Sequence, residues 1–164
     1  MIMRLSADAR KLVLTSAAEE AGRRGDRRLG TDHLLLGLLH DADSSAARAL
    51  GVSLESARGA SDALDRAALA AVGVDVGHLG VAPQSAPAPA RRHRPLTSGA
   101  RAVMKRTIEE ARPVKTGRID TSHFLLALLS RERPDPAAEL LHTLGVDVSA
   151  VRDRLARPAQ GDAA

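Results

Sequence analysis

No cysteine occurs in the 164 residues, and Phe124 is the sole member of the Phe, Tyr and Trp set. The first absence excludes disulfides, thiolate zinc sites and thiol nucleophiles, and fits a reducing compartment. The second leaves Leu, Val, Ile, Ala and Met to build any core. Leu and Ala favour helices, whereas the β-branched and aromatic residues that favour strands are scarce. The composition therefore predicts an all-α fold. Long apolar runs are missing too. Nothing approaches the ~18 residues of a membrane span, and "MIMRLSADARK" at the start lacks the apolar stretch of a secretory signal. These absences predict a cytoplasmic chain with no membrane partner. Catalytic signatures are equally absent: the chain holds no GxSxG elbow, no GxxxxGK(S/T) phosphate loop and no HExxH pair. By elimination the sequence predicts a binding module that is not an enzyme, with no cofactor and no metal.

Charge is plentiful. Lys and Arg number 24 against 20 Asp and Glu, a formal net charge of +4 and a pI near 10.5. Most charges alternate in sign along the chain, as in "EEAGRRGDRR" at 19–28, the pattern of a solvated helix surface. The adjacent glutamates at 19–20 and 109–110 read the same way. The densest basic cluster, "RRHR" at 91–94, stands in a Pro/Ala segment and reads as a solvated linker. Together with the pI it motivates the alternative function, a basic all-helical nucleic-acid-binding regulator.

The chain is a duplication. "LSADARKLVLTSAAEEA" at 5–21 returns as "LTSGARAVMKRTIEEA" at 96–111, "GTDHLLLGLLHD" at 30–41 as "DTSHFLLALLSR" at 120–131, and "ARALGVSLESAR" at 47–58 as "LLHTLGVDVSAVR" at 140–152. Three blocks in the same order make two repeats, 1–72 and 96–157. A linker at 73–95 holds three Gly and half of the prolines, a semi-rigid spacer, and 158–164 has the composition of a frayed tail. Each repeat reads as four helices. Ala100, Val103, Met104, Thr107, Ile108 and Ala111 form one apolar stripe. Ala9, Leu12, Val13, Ser16 and Ala17 repeat it less cleanly, with one extra residue before "EEA". The runs after His33 and His123 are apolar nearly all round and predict buried central helices. Third helices follow at about 44–50 and 135–143, closed by Gly51 and Gly145, and the fourth start near Ser53 and Ser149. The expected architecture is two pseudo-symmetric four-helix repeats packed into one domain of about eight helices.

Thr31 and Thr121 stand where N-cap hydroxyls would precede the buried helices, and Asp32 suits the positive end of its helix. His33 and His123 are then first-turn residues whose rings bond a neighbouring loop. A two-His metal site needs further ligands converging on both rings, and a His-based hydrolase rests on the twin histidines alone. His40, two turns beyond His33, reads as a surface residue.

A Ser/Thr start followed by Ala-Arg, an "EEA" helix end and a Leu-Gly-Val turn each occur twice, and the "GTDHLLLGLL" run returns as "DTSHFLLALL". In this the chain resembles the double Clp repeat at the N-terminus of ClpA/ClpC-type AAA+ unfoldases, from about residue 5 to 157. The resemblance implies a domain that receives adaptors and substrates of the Clp protease system. Because the 164 residues contain no ATPase module, it implies docking without unfolding, by a stand-alone adaptor, competitor or decoy whose partners are adaptors, substrates or a Clp unfoldase. The Met start and untagged end fit a complete protein or a cleanly cut one. The resemblance further implies a phosphoarginine site in each repeat, with a hydroxyl at the start of the first helix on the phosphate and an acid before the His on the guanidinium. Ser6 and Asp32 fill these places in the first repeat, Thr97 and Ser122 in the second. Ser122 is no acid, so any such function is expected to be lopsided. Three departures stand out: a third helix shortened in the first repeat, a longer Pro/Ala link, and missing aromatics at the domain start and in the link.

Overall fold

The computed structural model describes residues 4, 5, 9, 11–75, 77, 94–113 and 118–157. In the first repeat, strand β1 (Arg4–Leu5) comes first. A π-helical turn, Lys11–Thr15, then runs into α1 (Ser16–Arg24), followed by α2 (Thr31–Leu38), α3 (Ser45–Leu50) and α4 (Leu54–Ala71). The second repeat supplies α5 (Ser98–Ala111), β2 (Arg118–Ile119), α6 (Thr121–Leu129), α7 (Pro136–Thr143) and α8 (Val148–Ala156). The domain is all-helical, with eight α-helices among the described residues, as the composition and periodicity predict.

The extra residue of the first repeat goes into the π turn, which widens the helix by one residue where an α-helix has no room for it. Val13, Ala17 and Ala21 are thereby all fully buried, matching Val103, Thr107 and Ala111 on α5. The Thr107 hydroxyl donates to the Val103 carbonyl at 2.8 Å, which satisfies it inside the core. One member of the predicted stripe departs: Ile108 is exposed, because the buried positions on α5 are Ala100, Val103, Thr107 and Ala111.

Helix ends follow local chemistry. Ser44, Ser53, Thr97, Asp135 and Asp147 each accept a first-turn N–H as N-caps. Ser149, expected near the start of the last helix, lies inside α8, and Asp147 caps it. Gly51 and Gly145 take φ of 68° and 67° at the ends of α3 and α7, a left-handed backbone that side chains disfavour. α3 has 6 residues against 8 in α7, the shortening read from the sequence.

The core forms where α2 and α6 meet. Leu34, Leu35, Leu36 and Leu38 from one, and Phe124, Leu125 and Leu128 from the other, have no exposed surface. Each such side chain contributes about 1.5–3 kcal/mol on burial. Gly37 lets α1 approach α2: a Cβ there would lie 2.9 Å from the Ala17 backbone nitrogen.

The repeats are joined by an exchange of strand partners. β1, leading the first repeat, pairs in parallel with β2, which precedes the buried helix of the second, with Leu5 opposite Ile119. Reciprocally Leu96, leading the second repeat, bridges Leu29, which precedes the buried helix of the first. Leu29 N–H donates to the Pro95 carbonyl and Thr97 N–H to the Leu29 carbonyl, both at 3.0 Å. Of the predicted linker, residues 73–75, 77, 94 and 95 are described; the rest, with Arg91, Arg92 and His93 of the basic cluster, and the tail from 158 lie outside the described residues. Arg94 is docked on the first repeat, donating to the Asp26 carbonyl. No helix among the described residues is long and apolar enough to cross a membrane.

Candidate functional site in the cleft between the repeats

The strand exchange opens a cleft of about 590 Å³ between the α1–α2 loop of the first repeat and the starts of α5 and α7 of the second. Its wall begins at the N-terminus of α2. The N-cap there is Gly30, not Thr31, and Asp32 Oδ1 lies 2.5 Å from where a Cβ at position 30 would be, so a side chain there would push the Asp32 carboxylate aside. Thr31 is the first helical residue and is fully buried. Its hydroxyl donates to Asp135 Oδ1 at 2.7 Å and accepts from Ala137 N–H at 3.2 Å, tying α2 to the N-terminus of α7. Likewise the N-cap of α6 is Asp120, not Thr121; Asp120 Oδ1 accepts the Ser122 N–H at 2.8 Å. The Thr121 hydroxyl instead meets that of Ser45 at 3.1 Å.

The twin histidines complete the two caps. His33 Nδ1 accepts the Gly30 N–H at 2.9 Å, and His123 Nδ1 accepts the Asp120 N–H at 3.1 Å, the returning half of a capping box. With Nδ1 accepting, the His33 proton sits on Nε2, which faces Asp26 Oδ2 at 2.9 Å. That hydrogen bond is the foremost reason why the Asp26 pKa lies below its ordinary value; burial opposes it, and Arg24 reinforces it. The two rings serve different helices, and no group of three or more metal-ligating side chains forms among the described residues.

Arg24 is the hub that sequence reading missed. Its guanidinium donates to Asp32 Oδ2 at 2.8 Å, to the Ser61 hydroxyl at 2.8 Å and to Asp65 Oδ2 at 2.7 Å, and its Nε lies 3.3 Å from Asp26 Oδ2. Only 14% of its side chain is exposed. Burial works against the charge, but Asp32, Asp65 and Asp26 together outweigh it and raise the pKa above the usual arginine value. Across the cleft, Asp135 holds Arg131 Nε at 2.9 Å. Arg27 and Arg28 also line the cleft; both are exposed.

Of the four residues picked out by the resemblance, the described ones fall in different places. Thr97 of the second repeat and Asp32 of the first line the same cleft, because the strand exchange sets the start of each repeat against the buried helix of the other. Ser6 lies outside the described residues. Ser122 is turned onto its own cap, its hydroxyl donating to Asp120 Oδ1.

Two surface readings also change. Glu20, half of an "EE" pair, is 1% exposed; it accepts from Arg58, and its Oε1 faces His40 Nε2 at 2.8 Å. His40 is accordingly half-buried. The signal available was position: Glu20 lies three residues after Ala17 on the buried stripe.

A family model of the Clp repeat (R) N-terminal domain matches residues 4–133. The chain belongs to the Clp N-terminal family. Among curated relatives, this Clp repeat domain is 32% identical over 160 residues to an ATP-dependent Clp protease ATP-binding subunit, a ClpA homolog of Guillardia theta, and 31% identical to the chloroplastic ClpA homolog of Brassica napus. Each alignment covers 96% of the chain but only 17% and 16% of those relatives. Among solved structures, the N-terminal domain of the chaperone ClpD from Arabidopsis thaliana superposes with a TM-score of 0.67 at 19% identity, covering 94% of both chains. The double Clp repeat thus has the fold of such N-domains.

Proposed function

We propose that this Clp repeat domain is a non-catalytic docking module of the Clp protease system, receiving adaptors, substrates or degradation tags. The observation that carries this reading is the polar cleft built jointly by the two repeats in a member of the Clp N-terminal family. Its walls are rigid caps and ion pairs, and its mouth carries cations free to meet a partner. The 164 residues hold no nucleotide-binding loop, so acting alone they hold a partner without unfolding it, as an adaptor, a competitor or a decoy does. A Clp unfoldase is then itself a candidate partner. Pull-down from native lysate tests the reading: recovery of Clp components, adaptors or protease substrates is expected, and their absence defeats it.

The narrower reading is a phosphoarginine tag in the cleft. The shared position of Thr97 and Asp32 supports it, whereas the Arg24–Asp32 ion pair competes for the carboxylate. Calorimetry with a phosphoarginine peptide on wild type and Asp32→Ala decides. Equal affinities remove tag reading through Asp32 and leave protein docking intact.

A further inference from the structure

We propose that the cleft between the repeats selects an anionic peptide group and excludes a cationic one, and that Arg24 sets this preference. The inference rests on the docking reading and specifies the chemistry of what docks. Four arginines and three aspartates line the cleft, yet the two signs are not equally available. Asp26 is held by His33 and Arg24. Asp32 is held by Arg24. Asp135 is held by Arg131, by the Thr31 hydroxyl and by the Ala137 N–H. Every carboxylate in the wall thus has a cation or a donor from the chain itself. A ligand guanidinium or ammonium drawn to Asp135 competes with Arg131, and one drawn to Asp26 or Asp32 competes with Arg24, which grips three carboxylates and a hydroxyl at once and is mostly desolvated. Breaking this set leaves the mostly buried Asp32 and Arg24 uncompensated, a costly exchange for one new contact.

The cations at the mouth are in the opposite condition. Arg27 and Arg28 are exposed and make no hydrogen bond or ion pair among the described residues. A Glu or Asp side chain, or a chain-terminal carboxylate, meets both without displacing anything, and an arginine fork is suited to a carboxylate. A nucleic acid fits less well. No aromatic lines the cleft for a base to stack on, and Asp26, Asp32 and Asp135 interrupt the basic run that a phosphate backbone would follow.

The test is fluorescence anisotropy on the full chain at low salt. The probes are two labelled peptides with one Gly/Ser frame, carrying four Glu or four Arg. Wild type is expected to bind the Glu peptide at least about tenfold more tightly, with affinity falling as salt is added. The double variant Arg27→Ala/Arg28→Ala is expected to lose roughly three- to tenfold in Glu-peptide affinity at an unchanged melting temperature. Arg24→Gln strips the cation from Asp26, Asp32 and Asp65 and is expected to reverse the preference towards the Arg peptide. A folded Arg24→Gln that keeps the wild-type preference overturns the role of Arg24. If that variant does not fold, Arg24→Lys, which keeps the charge without the fork, is expected to narrow the preference, and an unchanged preference overturns that role. Equal binding of the two peptides, a wild-type preference for Arg, or indifference to loss of Arg27 and Arg28 overturns the proposal. So does a single-stranded oligonucleotide that binds more tightly than the Glu peptide. The two readings fail separately. Clp partners retained equally by wild type and the Arg27/Arg28 variant keep docking and sink the charge preference. Arg27/Arg28-dependent Glu-peptide binding without any Clp partner does the reverse.

Discussion

Glu20 shows how far a single residue can depart from its place in the sequence. Beside Glu19 it looks like half of a solvated pair, yet it is 1% exposed. Burial raises its pKa, but the hydrogen bonds from Arg58 and His40, the charge of Arg58 and the bond from Arg23 outweigh that and lower it from 4.5 to about 2. A carboxyl whose folded pKa lies below its unfolded value stabilises the fold fully above the unfolded pKa, and this stabilisation disappears as the pH falls through the folded one. Urea unfolding should therefore show stability dropping between pH 4.5 and 2, with Glu20→Gln flattening that slope. At pH 7 the same variant should cost about 3 kcal/mol, because Arg58 and His40 lose their partner. At this scale the sequence was legible in type but not in direction. It marks Thr31, Asp32 and His33 as the start of a buried helix. It does not show that the Thr31 hydroxyl leaves its own helix for Asp135, since that contact spans both repeats. Nor does "RRGDRR" distinguish Arg24, locked among carboxylates, from Arg27 and Arg28, which are exposed.

Elements were the most legible level, because periodicity is a local signal. The apolar runs after His33 and His123 are the buried helices α2 and α6, and Gly51 ends its helix in the left-handed backbone that glycine permits. Gly37 tests the packing between elements. Its counterpart in α6 is Ala127, which is buried without difficulty, whereas a methyl on Gly37 meets the Ala17 backbone at 2.9 and 3.2 Å. Gly37→Ala should cost about 1–3 kcal/mol despite the better helix propensity of alanine. Chemical denaturation checks this, and a stabilised Gly37→Ala would mean that α1 yields easily. The π turn at Lys11–Thr15 concerns the same helix pair: it absorbs the inserted residue and keeps Val13 and Ala17 facing α2.

The duplication was plain in the whole molecule, and the exchange of strand partners was not. Pairings as short as Leu5 with Ile119 and Leu29 with Leu96 carry no period that a sequence can display. With them in place Thr97 and Asp32, from different repeats, line one cleft. A chain cut once within 78–93 should therefore migrate as a single species in size exclusion, with its helicity by circular dichroism unchanged. Separation of the halves under native conditions would show that the interface is weaker than its buried Leu and Phe residues imply. The exchange also sets an order on biosynthesis. The first repeat leaves the ribosome before Leu96 and Ile119 exist, so Leu29 waits unpaired until the linker is made, and Leu5 until the first part of the second repeat has followed. The domain's strand pairings are thus completed only when its second half arrives.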